Sequence, residues 1–217
     1  KDIADLGMPT GTEFLDLISP QYVSDLVCWG AIGARTAESQ VHRELTSGLS
    51  CPMGIKNSTK GDIQIAIDAI KSAQYQHVFL GTTKKGKVAI FKTSGNDDTH
   101  IILRGGLEPN YHPEDIKNCR TALEKNEVNA NIMVDFSHGN SQKNHENQKK
   151  VSASICQQIA SGNKDIIGVM IESHLKEGSQ KISEDMEYGK SITDACVNWE
   201  ETKKLLNDLA QAVKARR

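Results

Sequence analysis

Aromatic residues, long apolar runs and excess positive charge are all scarce in this chain of 217 residues. Aromatic side chains make up 5% of it and the formal net charge is −2, so we expect neither base stacking nor a basic surface for nucleic acid. No uninterrupted apolar run approaches the length that crosses a bilayer, and we expect neither a membrane span nor a signal peptide.

The cysteines also lack the spacing of a metal or disulfide framework. They form no Cys-x-x-Cys pair and are scattered over the chain, at Cys28, Cys51, Cys119, Cys156 and Cys196. Such scattering is typical of a reducing compartment rather than of a disulfide-stapled domain or a zinc knuckle. We therefore expect a soluble cytoplasmic protein.

Near-continuous apolar segments alternate with amphipathic ones along the chain. The apolar segments predict strands over residues 12–15, 29–35, 51–57, 101–106, 132–138 and 166–172. The intervening segments carry apolar residues at helical spacing. This alternation predicts the α/β class, with a parallel sheet covered on both faces.

Three helical segments have explicit sequence signals. Residues 38–45 carry Val41 and Leu45 four positions apart, which predicts one buried stripe. A helix should open at Ser19–Pro20, where Pro20 suits the first helical position, and its apolar residues, Val23, Leu26 and Val27, fall at helical spacing. The last helix should start at Asn198, with Glu201 completing a capping box, and should bury Leu205, Leu206, Leu209 and Val213.

One segment departs from the strand–helix alternation. Residues 78–82 and 88–91 are β-prone and flank the turn sequence Lys84-Lys85-Gly86. Two such runs joined by a glycine-containing turn predict a β-hairpin. We expect this hairpin, residues 78–91, to be an insertion outside the main sheet.

Polar groups follow the six predicted strands of the main sheet in turn: Glu13, Arg35, Lys56, Arg104, His138 and Glu172. Polar residues at the C-terminal ends of successive strands are typical of a (β/α)8 TIM barrel active site. A doubly wound sheet would gather its ligand at one switch point instead. We predict a barrel that is incomplete in this chain, with about six of its eight strands.

Three of these groups are cations, Arg35, Lys56 and Arg104. Arginine offers a planar fork for carboxylate or phosphate, and lysine a compact charge. Glycines beside Arg35 and Arg104 allow backbone N–H groups to approach the same anion. The alternative is that these are ordinary solvated charges, but their recurrence at strand ends favours a site for a small polyanion.

The last two strand ends and the following loop supply mixed nitrogen and oxygen donors. His138, Glu172 and Asp194 suit a divalent transition metal with open coordination positions. His174 and Cys196 are rival ligands by sequence proximity, and a hydrogen-bonding role for His138 or a turn role for Asp194 stays open. A metal beside a polyanion site implies Lewis-acid chemistry on a phosphorylated substrate.

Several longer strings resemble the 3-deoxy-D-arabino-heptulosonate 7-phosphate (DAHP) synthases, which open the shikimate pathway to aromatic amino acids. They include Gly-Ala-Ile-Gly-Ala-Arg-Thr at residues 30–36 and Asp-Phe-Ser-His-Gly-Asn at residues 135–140. The similarity continues at residues 38–45, 48–52, 101–106, 171–173 and 191–196. It covers essentially the whole chain.

The resemblance implies condensation of phosphoenolpyruvate with erythrose 4-phosphate, with release of phosphate. It implies that phosphoenolpyruvate is held by Arg35, Lys56 and Arg104, with Glu13 and the backbone of Gly33 and Ala34. It implies a divalent metal on His138, Glu172 and Asp194, with manganese favoured over iron, cobalt or zinc. The catalytic residues would then be Lys56, His138 and Asp194.

The chain also departs from the family pattern. Members carry a further cysteine metal ligand on an earlier strand and a Lys-Pro-Arg-Thr segment that binds both substrates, and neither occurs in this sequence. We therefore expect residues 1–217 to be the C-terminal portion of a single catalytic barrel domain. We expect that portion alone to be inactive or nearly so.

The hairpin resembles the family's inserted element for feedback inhibition by an aromatic amino acid. The positions that match are Gln21, Leu45, Leu49, Ser50, Phe79 and Gly81. The small Gly81 leaves space for a phenolic hydroxyl, which favours tyrosine over phenylalanine. From the residues alone, the hairpin is a lid on the side of the barrel.

Two other functions stay open. One is a 3-deoxy-octulosonate 8-phosphate synthase acting on arabinose 5-phosphate, against which the string at residues 30–45 argues. The other is a non-catalytic fragment that binds phosphoenolpyruvate without releasing phosphate. The family resemblance further implies a homo-oligomer, a dimer or a tetramer.

Overall fold

The computed structural model describes residues 1–217. The chain divides into two compact units. The first comprises Lys1–Ile102 with Thr121–Asn131, and the second comprises Leu103–Arg120 with Ile132–Arg217.

The first unit holds the N-terminal strands and helices. Its helices are α1 (Asp2–Asp5), α2 (Pro20–Val23), α3 (Gln40–Gly48) and α4 (Gln64–Gln74), with a 3-10 turn at Ser24–Leu26. Its strands are β1 (Gly11–Glu13), β2 (Trp29–Ile32), β3 (Met53–Lys56), β4 (Val78–Thr82), β5 (Val88–Lys92) and β6 (Thr99–Leu103), whose last residue belongs to the second unit.

Strands β1, β2, β3 and β6 are consecutive parallel neighbours. Glu13 pairs with Ala31, and Ile55 pairs with Ile32 on one side and with Ile101 on the other. Every residue of β3 and of β6 is buried. Fully buried strands explain the near-continuous apolar runs in the sequence.

The second unit holds the C-terminal elements. After α5 (Pro113–Lys125), which begins in this unit, they are β7 (Ile132–Asp135), a 3-10 turn at His145–Asn147, α6 (Gln148–Ala160), β8 (Ile166–Met170) and α7 (Trp199–Arg216). Strands β7 and β8 pair in parallel, with Asp135 opposite Met170. Helix α6 buries Val151, Ile155 and Ile159, which recur every fourth position along one face.

The structure confirms the α/β class and the separate hairpin. Strands β4 and β5 pair only with each other, antiparallel, with Leu80 opposite Ile90. The six other strands all have parallel neighbours. Closure of a (β/α)8 barrel stays a prediction.

Two predicted helical stripes are partly wrong. Val41 is 44% exposed, and helix α3 buries His42, Leu45, Thr46 and Ser47 instead. Leu206 is 49% exposed, whereas its neighbour Leu205 is buried. Helical spacing defines one face of a helix, but the elements packed against the helix decide how wide the covered part is.

The predicted helix after Ser19 is also shorter than expected. It is a single α-helical turn, Pro20–Val23, followed by the 3-10 turn Ser24–Leu26. Val23 and Leu26 are 40% and 44% exposed, so the short helix buries neither of them.

The cap of the last helix is confirmed. The Asn198 side chain accepts a hydrogen bond from the backbone N–H of Glu201 at 2.9 Å. This contact satisfies one of the N–H groups that a helix start leaves without an intrahelical acceptor.

Two buried polar side chains connect elements of the first unit. The Asn96 amide donates to the carbonyl oxygens of Thr46, Leu49 and Cys51 at 3.2, 2.9 and 3.1 Å. It thereby joins the end of α3 to the segment before β3. The Trp29 indole N–H donates to His100 Nε2 at 3.1 Å, which places the imidazole proton of neutral His100 on Nδ1.

None of the helices combines the length and apolar content that a bilayer crossing requires.

Candidate active site

In the second unit, three predicted residues converge on one point. His138 Nε2 lies 3.4 Å from a carboxylate oxygen of Glu172 and 3.7 Å from one of Asp194. One donor atom from each of the three lies within 4.8 Å of the others. The His138 and Glu172 side chains are each 20% exposed and that of Asp194 is 66% exposed, so the group opens to solvent on the Asp194 side.

His138 occupies a turn rather than a strand. The predicted strand extends to His138, but β7 ends at Asp135, three residues earlier. His138 itself has a φ of +53°. This left-handed conformation is uncommon for a residue with a side chain. The turn is held by hydrogen bonds from Gly139 N to the Arg104 carbonyl and from Lys143 N to the His138 carbonyl, at 3.0 and 2.9 Å.

A buried carboxylate lies beside the His138 ring. Asp135 Oδ2 is 2.8 Å from His138 Nδ1, a close contact that lies outside hydrogen-bond geometry, and the Asp135 side chain is 0% exposed. A carboxylate at Nδ1 favours the tautomer that carries its proton there, which leaves the Nε2 lone pair facing Glu172 and Asp194. Carboxylate–histidine pairs of this kind orient metal-binding histidines, so the donor set fits a divalent metal ion.

Glu172 is held by both its side chain and its backbone. The Ser137 hydroxyl donates to its carboxylate at 2.7 Å, and the Gln148 amide bonds its backbone. Burial raises the pKa of the Glu172 carboxyl above its usual range, while the Ser137 hydrogen bond and nearby His138 act in the opposite direction. A bound cation would likewise favour the charged carboxylate.

Neither rival ligand joins this cluster. His174 uses Nδ1 to accept a hydrogen bond from the Leu175 backbone at 2.8 Å. The Cys196 thiol donates to the Asp194 carbonyl at 3.6 Å, and burial raises its pKa, which disfavours the metal-binding thiolate.

Arg104 directly follows β6, and close backbone packing holds its strand end. Gly105 has a φ of +72°, and a Cβ there would lie 2.5 Å from both Asn140 N and the Gly139 carbonyl carbon. A Cβ on Gly139 would likewise lie 2.6 Å from Gly106 N. Only glycine allows these two turns to approach so closely, and this contact fixes Arg104 next to the His138 turn.

In the first unit, the ends of β1, β2 and β3 lie along one edge because the strands are parallel neighbours. Glu13 ends β1 and its carboxylate packs against Gly33, where any Cβ would collide with it. Lys56 is the last residue of β3 and is 6% exposed.

Arg35 follows β2 at a distance. Strand β2 ends at Ile32 rather than at Arg35 as predicted, and residues 33–37 form a turn in which Thr36 N and Ala37 N both donate to the Gly33 carbonyl at 3.1 Å. Ala34 and Arg35 therefore lie in this turn, and Arg35 is exposed. The edge formed by the ends of β1, β2 and β3 therefore carries Glu13, Gly33, Ala34 and Lys56. Arg35 lies at the same edge and is exposed to solvent.

A separate cavity of about 430 Å³ lies between α2, α3 and the hairpin. Five of the six residues matched to the inhibitor element line it: Gln21, Leu45, Leu49, Phe79 and Gly81. Ser50 does not. The rings of Phe79 and Phe91 stack with centroids 6.0 Å apart. The cavity is also lined by Phe91, Glu44 and Thr93. These three were not among the predicted inhibitor positions, and their spacing along the chain carries no signal for such a role.

The fold is of the α/β class, and comparison with known proteins specifies the family. The chain matches the DAHP synthetase I family over residues 2–207. It belongs to that family.

Relatives in this family are close. The Phe-sensitive phospho-2-dehydro-3-deoxyheptonate aldolase of Escherichia coli K12 is 59% identical over 218 residues, which cover 100% of this chain and 62% of the relative. The Trp-sensitive enzyme of the same strain is 51% identical over 216 residues, covering 99% of this chain and 62% of the relative. The chain thus spans about 62% of the length of these relatives.

Solved structures agree. A phospho-2-dehydro-3-deoxyheptonate aldolase from Francisella tularensis SCHU S4 superposes with a TM-score of 0.97 at 55% identity, over 100% of this chain and 64% of the other. The enzyme from Thermotoga maritima shares the fold alone, with a TM-score of 0.66 at 18% identity over 98% of this chain and 52% of the other.

Proposed function

We propose that the chain is the C-terminal part of a DAHP synthase, which condenses phosphoenolpyruvate with erythrose 4-phosphate and releases phosphate. The observation that carries the proposal is the convergence of His138, Glu172 and Asp194 in a chain of this family. The TM-score of 0.97 over the whole chain supports a single catalytic barrel domain over residues 1–217.

Arg35, Lys56 and Arg104 would hold phosphoenolpyruvate, aided by Glu13 and by the backbone at Gly33 and Ala34. Support comes from the shared edge of β1, β2 and β3 and from the burial of Lys56. Charge-assisted hydrogen bonds are worth about 1.5–3 kcal/mol each. Replacing one cation with alanine should weaken phosphoenolpyruvate capture roughly 10- to 150-fold.

His138, Glu172 and Asp194 would hold a divalent metal, with manganese favoured over iron, cobalt or zinc. When bound, the metal would polarise the aldehyde of erythrose 4-phosphate. The Asp135 carboxylate, 2.8 Å from Nδ1, would favour the ring proton on that nitrogen and leave Nε2 available as a ligand. Asp194, the most exposed of the three, is placed to contact the aldose or to move a proton.

The reaction forms one carbon–carbon bond and exchanges one carbon–oxygen bond for another. Carbon 3 of phosphoenolpyruvate attacks the aldehyde carbon, water adds to carbon 2, and the bond from carbon 2 to the phosphate oxygen breaks. Of the two water protons, one goes to the aldehyde oxygen, which becomes a hydroxyl, and the other leaves with the phosphate. Lys56, His138 and Asp194 are the residues proposed to act at these atoms.

The test is turnover by the longest natural polypeptide that contains this chain. Formation of DAHP and phosphate from erythrose 4-phosphate, lost in His138→Ala, is the expected result. Preference for arabinose 5-phosphate would support the octulosonate synthase instead. Phosphoenolpyruvate binding without phosphate release would support a non-catalytic role. Residues 1–217 alone should give little or no product.

We also propose that the cavity between α2, α3 and the hairpin binds an aromatic amino acid as a feedback inhibitor. Its two stacked phenylalanines and its polar rim of Gln21 and Glu44 suit a ring with an amino acid head group. Gly81 favours tyrosine over phenylalanine. Inhibition by tyrosine, phenylalanine and tryptophan, compared at equal concentration, decides among them, and sensitivity to phenylalanine alone would contradict the choice.

We further propose a homo-oligomer in a reducing cytoplasmic compartment. All five cysteines are free thiols, which supports the compartment. Light scattering of the longest natural polypeptide would measure the oligomeric state.

A further inference from the structure

Gln148, the first residue of α6, bonds the backbone of Glu172 at both of its polar groups. Its amide nitrogen donates to the Glu172 carbonyl and its amide oxygen accepts from the Glu172 N–H, each at 3.0 Å. The Gln148 residue is 0% exposed. A side-chain amide here reproduces the pair of hydrogen bonds that a neighbouring strand would make.

The position of Glu172 in the chain explains why it needs such a partner. Strand β8 ends at Met170, so Glu172 lies beyond the regular strand pairing. Its carbonyl also accepts from Val197 N at 3.0 Å. Gln148 therefore adds a second bond to the carbonyl and supplies the acceptor for the N–H. With its backbone held at both groups, the Cα–Cβ bond of Glu172 has a fixed direction, and the Ser137 hydroxyl then holds the carboxylate.

That direction is toward the metal centre proposed above. The Glu172 carboxylate lies 3.4 Å from His138 Nε2 and accepts the Ser137 hydroxyl at 2.7 Å. We propose that Gln148 is a positioning residue for this centre, which acts by orienting Glu172 as a ligand. The inference rests on the proposed metal centre and adds a residue that touches neither metal nor substrate.

The same helix provides a matched control. Gln158 is also buried, at 8% exposure, and its amide nitrogen donates to the Tyr111 carbonyl at 2.9 Å. Like Gln148, it is a glutamine of α6 whose side-chain amide donates to a backbone carbonyl. No hydrogen bond joins it to His138, Glu172 or Asp194. Gln148 bonds the backbone through both polar groups, whereas the Gln158 amide oxygen has no hydrogen-bond partner, so Gln158→Met should cost less stability and the unfolding free energy of each variant is measured beside its metal binding.

The experiment compares Gln148→Met and Gln158→Met with the wild type, each in the longest natural polypeptide, stripped of metal. Binding of Mn²⁺ is measured from the electron paramagnetic resonance signal of the free ion. Changes to residues that orient metal ligands typically weaken binding about 10- to 100-fold, which is the loss expected for Gln148→Met. Gln158→Met should stay within about threefold of the wild type, because it leaves the ligands in place.

A second readout separates orientation from general loosening. Co²⁺ in place of Mn²⁺ reports ligand geometry through its visible absorption bands, and Gln148→Met should alter these bands while Gln158→Met should not. If Gln148→Met does not fold, as judged by circular dichroism, Gln148→Asn takes its place, since it keeps the amide but is one methylene too short.

The outcomes are distinguishable. Failure of the wild type to bind Mn²⁺, or binding that His138→Ala leaves unchanged, would refute the metal centre itself. The inference about Gln148 is overturned if the wild type binds Mn²⁺ through His138 and Gln148→Met binds it as tightly as Gln158→Met does. The metal centre itself stands in that case.

Discussion

The buried imidazole of His100 should make the stability of this protein depend on pH in a defined window. His100 is 5% exposed and accepts a hydrogen bond from the Trp29 indole. Burial lowers its pKa from 6.5 to about 4. The unfolded chain therefore binds a proton at a higher pH than the folded chain does, and folding stability falls as the pH drops from 6.5 toward 4.

The size of the effect follows from the two pKa values. Each pKa unit corresponds to about 1.4 kcal/mol, so the full loss below both pKa values is about 3 kcal/mol. At about pH 5 the proton already favours the unfolded chain by about 2 kcal/mol. Above about pH 7 the contribution of His100 to the pH dependence vanishes.

The assay is urea unfolding of the wild type and His100→Gln at about pH 7.5 and about pH 5. Glutamine can accept the indole hydrogen bond but does not titrate in this range. Between the two pH values the wild type should lose about 2 kcal/mol more unfolding free energy than His100→Gln. His112→Gln, which removes an exposed imidazole, serves as the control and should follow the wild type. Parallel losses in wild type and His100→Gln would refute the reasoning.

Three further predictions concern caps, buried amides and the cavity. Asn198→Ala removes the N-cap of α7 and should lower the unfolding free energy by about 1 kcal/mol, measured by urea unfolding with Asn198→Asp as the restoring variant. Asn96→Ala removes one hydrogen bond from each of three carbonyls, of which that of Thr46 keeps the Leu49 N–H, and should lower the unfolding free energy by about 1–3 kcal/mol; a loss below about 0.5 kcal/mol would contradict the contacts described. Gly81→Ala places a Cβ 2.8 Å from the Phe91 ring and should weaken aromatic amino acid binding, measured by calorimetry, while leaving turnover unchanged.

The elements of the fold were predictable because burial patterns are local. Strands β3 and β6 are buried on both faces, so their sequences are largely apolar apart from Lys56, Thr99 and His100 at their ends, and the hairpin has its turn glycine between two β-prone runs. The widths of the helix stripes were less predictable. Val41 and Leu206 have the right spacing, but other elements cover only part of each helix face.

The convergence of His138, Glu172 and Asp194 was predictable from their places after the last two strands, whereas the backbone at two of the predicted positions was not. His138 lies in a turn with a φ of +53°, and Arg35 lies in a turn closed by two hydrogen bonds to the Gly33 carbonyl. The contact of Asp135 with His138 could have been anticipated, since Asp135 precedes His138 by three residues in the string shared with the family. The contact of Gln148 with Glu172 could not, because the sequence does not indicate which partner an amide at the start of a helix will bond.

The glycine contact between the Arg104 and His138 turns limits the substitutions that either turn can accept. Gly105 and Gly139 have no side chain, and a Cβ on either would lie within 2.6 Å of backbone atoms of the opposite turn. Any other residue at either position would therefore push the two turns apart. Substitution at these two positions can widen the gap between the turns but cannot narrow it.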